Sequence, residues 1–450
     1  MGTQDAYPVP RLSLWLHVRR YAVPAPVIET ATARRLAGDW AGACAAAGLD
    51  TTFTPRSLAR THGWALAGRV RDDVRRLAPD LLRWHMPRVA PDGLLRPGLT
   101  VPLARYAHGD GPGVTLVART PPAWAGGGQR ITLALWDGAR DLTRTDRAAR
   151  HPHPAPSRRF RLDLHRHLWD AGRAHELPSR TDPGAGLGPA AGRWAAEAAL
   201  LLRAEGRTPE AVAVRLGRER LVLEVDPAGG CAARAAGRRD VRALPVLPDA
   251  AAWGLPDLAL LAAGLVAPDE LHPLVAAALV PGHSPPDRRT APGGGPLYVE
   301  CRGARHRLRH VGGVLTPLDH DPDELRREEL LAELTGTPLP CVQAVRDAHT
   351  RPEELPEVMA RLDHGDAAGA FAAVEALLGP AAVLGEGGLR DVLEAAAARR
   401  VDHGRYRSGL AEPGPAPRAR RVPGLTHPAG PHQGRRGDHR SHPRQALTTR

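Results

Sequence analysis

Apolar residues recur at helical spacing through the first eighty positions. In LARTHGWALAGRVRDDVRRLAPDLLRW, Leu58, Trp64, Leu66, Val70, Val74 and Leu77 fall roughly on one face, with arginines opposite. This predicts helices over 28–50 and 55–84. The period then changes. GVTLVART (113–120) and QRITLALWDG (129–138) are short β-rich runs joined by a Pro/Gly connection, which reads as a hairpin. Helices are expected at 161–176 and in AGRWAAEAALLLRAEG. EAVAVRLGRERLVLEVD predicts two strands turning at Gly217-Arg218, and DVRALPVL a further one. Apolar helices follow at about 256–265 and 269–280. LYVECRGARHRLRHVGGVLTPLDH reads as a meander turning at Gly303 and Gly312-Gly313, with helices from there to about 410.

The fold class that results is α+β, with helical segments flanking small antiparallel β units at about 113–138, 211–247 and 297–318. Composition shifts divide the chain. Residues 1–140 form a helical region plus hairpin, and 161–281 an α+β middle region. Residues 297–412 form the meander and its helices. Pro/Gly-rich or Pro/His-rich stretches at 141–160 and 282–296 read as linkers. Residues 413–450 have little to bury and read as a disordered basic tail.

One pattern occurs twice. RRLAGDWAGACAA (34–46) and ARLDHGDAAGAFAA (360–373) share G-D-x-A-G-A-x-A-A. The expected device is a helix, a Gly-Asp turn and a second helix, with Asp39 and Asp366 as N-caps.

Composition narrows the chemistry. All 61 basic residues are arginine and there is no lysine or asparagine, a bias that matches a GC-rich genome. Without lysine there is no P-loop, no pyridoxal-phosphate Schiff base and no kinase signature. The net charge of +12 would suggest nucleic acid. However, the tail holds eight arginines against one acid, so most of that charge lies there. The tail also lacks aromatic residues to stack on bases, and binding to nucleic acid is not the favoured reading. Four separated cysteines with no C-x-x-C fit a reducing cytoplasm rather than a disulfide scaffold. The longest apolar stretch, LALLAAGLVA, is about half a membrane span, so no membrane partner is expected.

Candidate chemistry centres on three Asp-His pairs: Asp319-His320, Asp363-His364 and Asp402-His403. Asp321-Pro322-Asp323-Glu324 resembles a helix start with Asp as N-cap. His364-Gly365 and His403-Gly404 resemble helix stops. Asp363 and Asp402 are the misfit, because an acid is unfavourable at a helix C-terminus. An Asp can instead orient a His ligand. Cys301, His306, His310 and Cys341 form no zinc spacing. His165 and His167 would share a side only in an extended strand. The glycines of GAGLG (184–188) follow Asp-Pro rather than a strand, which argues against a dinucleotide cradle.

Two functions from different classes follow. The first is a non-catalytic cytoplasmic interaction or accessory protein with another protein as partner and no cofactor. The second is a hydrolase dependent on a divalent metal. Its ligands would be Asp319, His320, His364 and His403, and Asp321 would activate water.

Overall fold

In the computed structural model the described residues are 9–108, 111–125, 129–138, 151–208, 210–226, 230–283, 297–301, 304–311, 314–317, 326–327, 330, 355–378 and 388–410. Asp319, His320, Asp321, Cys341, the tail 413–450, residues 141–150 of the first expected linker and 284–296 of the second lie outside them. Met1–Ala416 is one unit.

The chain opens with α1 (Val9–Tyr21), α2 (Ala25–Leu36) and α3 (Trp40–Ala46), then β1 (Leu49–Thr51). The single helix expected over 28–50 is therefore a helix pair followed by a strand. Its break is the Gly-Asp device. Gly38 adopts φ +78°, and the Asp39 carboxylate accepts the Gly42 amide at 2.8 Å. Likewise, 55–84 divides into α4 (Pro55–Arg76) and α5 (Pro79–His85). Pro79 takes the first turn of α5 and disfavours helix in the residue before it. Gly63, at φ +81°, interrupts α4.

A short ribbon, β2 (Arg88–Val89) and β3 (Leu94–Leu95), leads into β4 (Thr100–His108), β5 (Gly111–Arg119) and β6 (Ile131–Asp137). The expected β5–β6 hairpin is present, with Val114 opposite Asp137 and Arg119 opposite Thr132. It belongs to a four-stranded sheet ordered β1-β6-β5-β4, in which β1 runs parallel to β6. The main core lies between this sheet and the N-terminal helices. Val70, Leu81, Leu82, Val101, Leu116 and Leu133 are fully buried there.

Residues 151–160 are packed. His151 is buried and its Nε2 lies 2.8 Å from the Thr120 carbonyl, while the Ser157 amide donates to the Thr100 carbonyl. The same core continues into Leu162, Leu168 and Trp169, so it crosses the boundary drawn at 141–160.

The helix expected over 161–176 is absent. The segment is irregular, with 3-10 turns at Arg166–Leu168 and Ala174–Arg180. Side chains take carbonyls that a helix would use. His165 Nδ1 engages the Arg161 carbonyl at 2.9 Å, and Trp169 Nε1 donates to the Leu162 carbonyl. A helix would need those acceptors for amides four residues on.

The middle region has α6 (Trp194–Ala204) packed on β7 (Ala211–Leu216) and β8 (Glu219–Val225), with β9 (Cys231–Ala235) exposed at the edge of the same sheet. The β7–β8 hairpin turns between Leu216 and Glu219, as expected. DVRALPVL contributes only a parallel bridge, Ala213 to Val246. Then come α7 (Asp249–Ala252), α8 (Pro256–Ala262) and α9 (Pro273–Leu279). The meander is β10 (Leu297–Cys301), β11 (Ala304–Val311) and β12 (Val314–Pro317), in that sheet order. Finally, α10 (Leu355–Asp363), α11 (Ala367–Leu378) and α12 (Gly388–Arg407) form a helical unit with its own small core. The architecture is α+β. Among the described residues no helix is long and apolar enough to cross a membrane.

Candidate functional site

A cavity of about 620 Å³ opens where α1, α5, the irregular segment and the start of α8 meet. Trp15 and Arg19 come from α1. Trp84 and His85 end α5, and Met86, Pro87 and Arg88 follow in extended chain. Phe160 to Leu162, His167 and Leu168 come from the irregular segment, while Trp253 to Pro256 close the far side. The 3-10 turns matter here, since an α-helix over 161–176 would distribute these side chains around its circumference.

The lining holds six arginines, and four have carboxylate partners. Arg19 is clamped by Asp257 through two bonds of 2.9 and 2.6 Å, and its guanidinium lies between the Trp84 and Trp15 rings. Both members of that pair are buried. Arg161 forks onto Asp163 and reaches Glu205. Arg180 forks onto Glu197, and Arg159 meets Asp249. Arg96 is exposed and lies over the Phe160 ring.

Arg88 differs. Its Nη2 donates to the Arg83 carbonyl at 2.6 Å, but Nε and Nη1 are covered and have no partner. Burial lowers its pKa well below the usual arginine value, and the nearby charges of Arg83 and Arg19 add to the shift. Buried polar groups are nearly always paired, and an unpaired buried cation costs several kcal/mol.

Two histidines line the cavity as well, beside Thr181, Asp182 and Asp249. His85 Nδ1 lies 3.1 Å from the Leu81 carbonyl and 3.0 Å from the Leu168 carbonyl. Both are acceptors, so Nδ1 carries the proton and Nε2 is a bare lone pair. That Nε2 has no partner. Burial pushes the His85 pKa down to about 4. His167 is 3% exposed, its Nδ1 is unpartnered, and burial with the neighbouring His165 holds it neutral down to about 2. Beneath the floor, His272 Nε2 lies 3.0 Å from Asp80 Oδ2, and its Nδ1 caps α9. That dyad is structural, because both ring nitrogens are occupied.

The residues singled out from the sequence are placed as follows. His364 ends α10 with Gly365 at φ +85° just beyond, as expected of a helix stop. Its carbonyl accepts Arg83 Nη2 at 2.7 Å, and its ring packs against His17 at 5.1 Å. Burial, with Arg88 and His17 nearby, pushes its pKa down to about 3. His403-Gly404 is not a stop. It lies inside α12, which ends at Arg407 because Gly409, at φ +69°, supplies the left-handed residue. His403 Nε2 instead meets Asp50 Oδ2 at 3.3 Å. Asp363 and Asp402 are exposed, so solvent accommodates the two acids that fitted poorly. His364 and His403 thus make separate contacts. Among the described residues no group of three or more His, Cys, Asp or Glu is arranged to hold a metal.

His165 and His167 do approach, with rings 5.7 Å apart edge to face. His165 faces Glu197, and the glycine loop is fixed by Asp182, which accepts the Gly184 and Gly192 amides. Leu187 from that loop lines the cavity. The sequence marks neither Arg88 nor His85 as a candidate. No local signal distinguishes Arg88 from the other arginines.

No family model matches the chain, and neither a curated protein nor a solved structure is significantly similar to it.

Proposed function

We propose that this protein binds a small organic ligand in the α1/α5 cavity and acts without chemistry of its own on that ligand. The observation that carries this reading is the cavity of about 620 Å³ itself, walled by aromatic and aliphatic side chains such as Trp15, Trp84, Phe160 and Leu162. That volume is in the range of drug-sized ligand sites, and an apolar lining with few convergent polar groups is their usual character. The non-catalytic part rests on the lining. Among the described residues around the cavity there is no serine, cysteine or lysine, both histidines are held neutral far below the range useful to a general base, and the two acids are engaged, Asp249 by Arg159 and Asp182 by the Gly184 and Gly192 amides. Cys44 lies elsewhere in the core, with burial pushing its thiol up to about 12. The accessory role expected from the sequence becomes a ligand-dependent one, exerted in the cytoplasm on a protein partner.

Titration with 1-anilinonaphthalene-8-sulfonate tests the site. One equivalent should bind to the full chain with increased fluorescence. Leu187→Trp, which fills the cavity from a half-buried position, should abolish it. Binding indifferent to Leu187→Trp would overturn the reading.

A further inference from the structure

The strand β9 has a neighbour on one side only. Among the described residues it pairs with β8 alone, and all five of its residues are exposed. The pairing fixes which backbone groups are left over. The Asp226 amide donates to the Gly230 carbonyl and the Ala236 amide to the Arg220 carbonyl. In this register the even-numbered residues of β9 bond to β8. Cys231, Ala233 and Ala235 therefore turn their amides and carbonyls outward. Their side chains continue the face on which Leu221, Leu223 and Val225 pack against α6, but lie beyond its cover. A proline, a bulge or a free charge usually protects such an edge. Here the register with β8 is unbroken and the strand holds no proline. Its one charge, Arg234, is already matched by Glu224 at 3.0 Å.

We propose that β9 pairs antiparallel with β9 of a second copy of this chain, about a two-fold axis at Ala233. Both sets of outward groups can bond only if odd-numbered residues stand opposite odd-numbered ones. Centring the axis on Ala233 uses the whole strand. Cys231 then faces Ala235 of the second copy, and Ala233 faces its own equivalent, so small side chains meet on that side. On the other side Arg234 stands opposite Ala232 of the second copy, with that copy's Glu224 one strand further on. Alanine leaves the path open, so each glutamate can take both arginines, two acids against two bases. This charge complementarity selects a second copy as the occupant. Two three-stranded sheets become one of six strands, whether or not the cavity holds a ligand.

Sedimentation equilibrium of the full chain from about 1 to 100 µM should show a reversible dimer. Ala233→Pro removes an outward amide and no bond within the chain. It should melt as the wild type does and weaken association by about tenfold or more. Ala233→Glu, which sets two carboxylates face to face across the axis, should do the same. Oxidation with copper–phenanthroline in air tests the register. Ala235→Cys puts a thiol opposite Cys231 of the second copy, with Cα atoms about 5.5 Å apart, and should form an interchain disulfide. The wild type should not, because the two copies of Cys231 would lie about 13 Å apart. Cys231→Ser/Ala235→Cys should not either, for the same reason. A chain that sediments as a monomer throughout would overturn the proposal, as would a dimer that survives both Ala233 variants. Crosslinking of Cys231→Ser/Ala235→Cys as fast as Ala235→Cys would overturn the register and the pairing with it.

Discussion

At the scale of residues, the aspartate caps are the clearest case of sequence dictating geometry. Asp366 accepts the Gly369 amide at 2.9 Å, and Arg361 reaches across to its other oxygen at 3.0 Å. Asp39 does the same with Gly42 and Arg34. A Cβ on Gly42 or Gly369 would fall 2.1 Å from the second carboxylate oxygen, the one that accepts the arginine, which is why the shared pattern keeps glycine three residues after the acid. Asp366→Ala should destabilise the protein by about 1 kcal/mol, measurable as a lowered urea midpoint. The histidines set a pH dependence. His85, His167 and His364 have folded pKa values of about 4, 2 and 3, below the ordinary value near 6.5. The unfolded chain therefore binds protons first. Stability is intact above pH 6.5 and declines as pH falls below it. Denaturant midpoints measured from pH 7 to pH 5 should drop. His167→Gln should flatten that slope by on the order of 2 kcal/mol. Glu197 acts in the same direction further down. Burial alone would raise it, but bonds from His165 and Arg180 pull it to about 2. Its contribution is present above its ordinary carboxylate pKa and disappears between about 4.5 and 2.

At the scale of elements, α12 is held on the sheet through one acid. Asp50 in β1 receives Arg130 at 2.9 and 2.7 Å, Arg407 at 2.9 Å and His403 at 3.3 Å. These bonds overcome its burial and hold the carboxyl below the usual range. Asp50→Asn leaves Arg130, Arg407 and His403 without their anion. Amide exchange over 388–407 should quicken in that variant, with little change in α4 and α5. Unchanged protection would show that α12 docks by packing alone, for instance through Tyr406 edge-on to Trp124. Elements with strong local period or turn chemistry were legible: the β5–β6 and β7–β8 hairpins, the meander and both Gly-Asp hairpins. Segment 161–176 was not. Its apolar residues have no clean period, and its conformation is set by side chains capturing carbonyls, a competition that composition does not reveal. The breaks within 28–50 and 55–84 were written locally in Gly38 and Pro79, and were outweighed by the apolar face on either side.

At the scale of the molecule, the cavity is assembled from residues 15, 88, 167 and 253, which no window along the chain brings together. The sequence identifies conspicuous residue pairs, whereas the binding chemistry depends on which side chains the fold brings to one cavity. Among the described residues Arg88 bonds a backbone carbonyl and no carboxylate, a pairing that only the folded chain reveals. It also connects the cavity to the C-terminal helices. Arg88 donates to the Arg83 carbonyl, and the Arg83 guanidinium holds the carbonyls of Ala22, Gln129 and His364. Neutralising Arg88, as in Arg88→Gln, should therefore ease the repulsion around Arg83 and His364, with amide protection in α10 no lower than in the wild type. The most direct measurement is a crystal structure of the protein grown with 1-anilinonaphthalene-8-sulfonate. The account predicts density for one molecule in the cavity, against Trp15, Trp84 and Leu187. A ligand bound only elsewhere, or an empty cavity at saturating ligand, would contradict it.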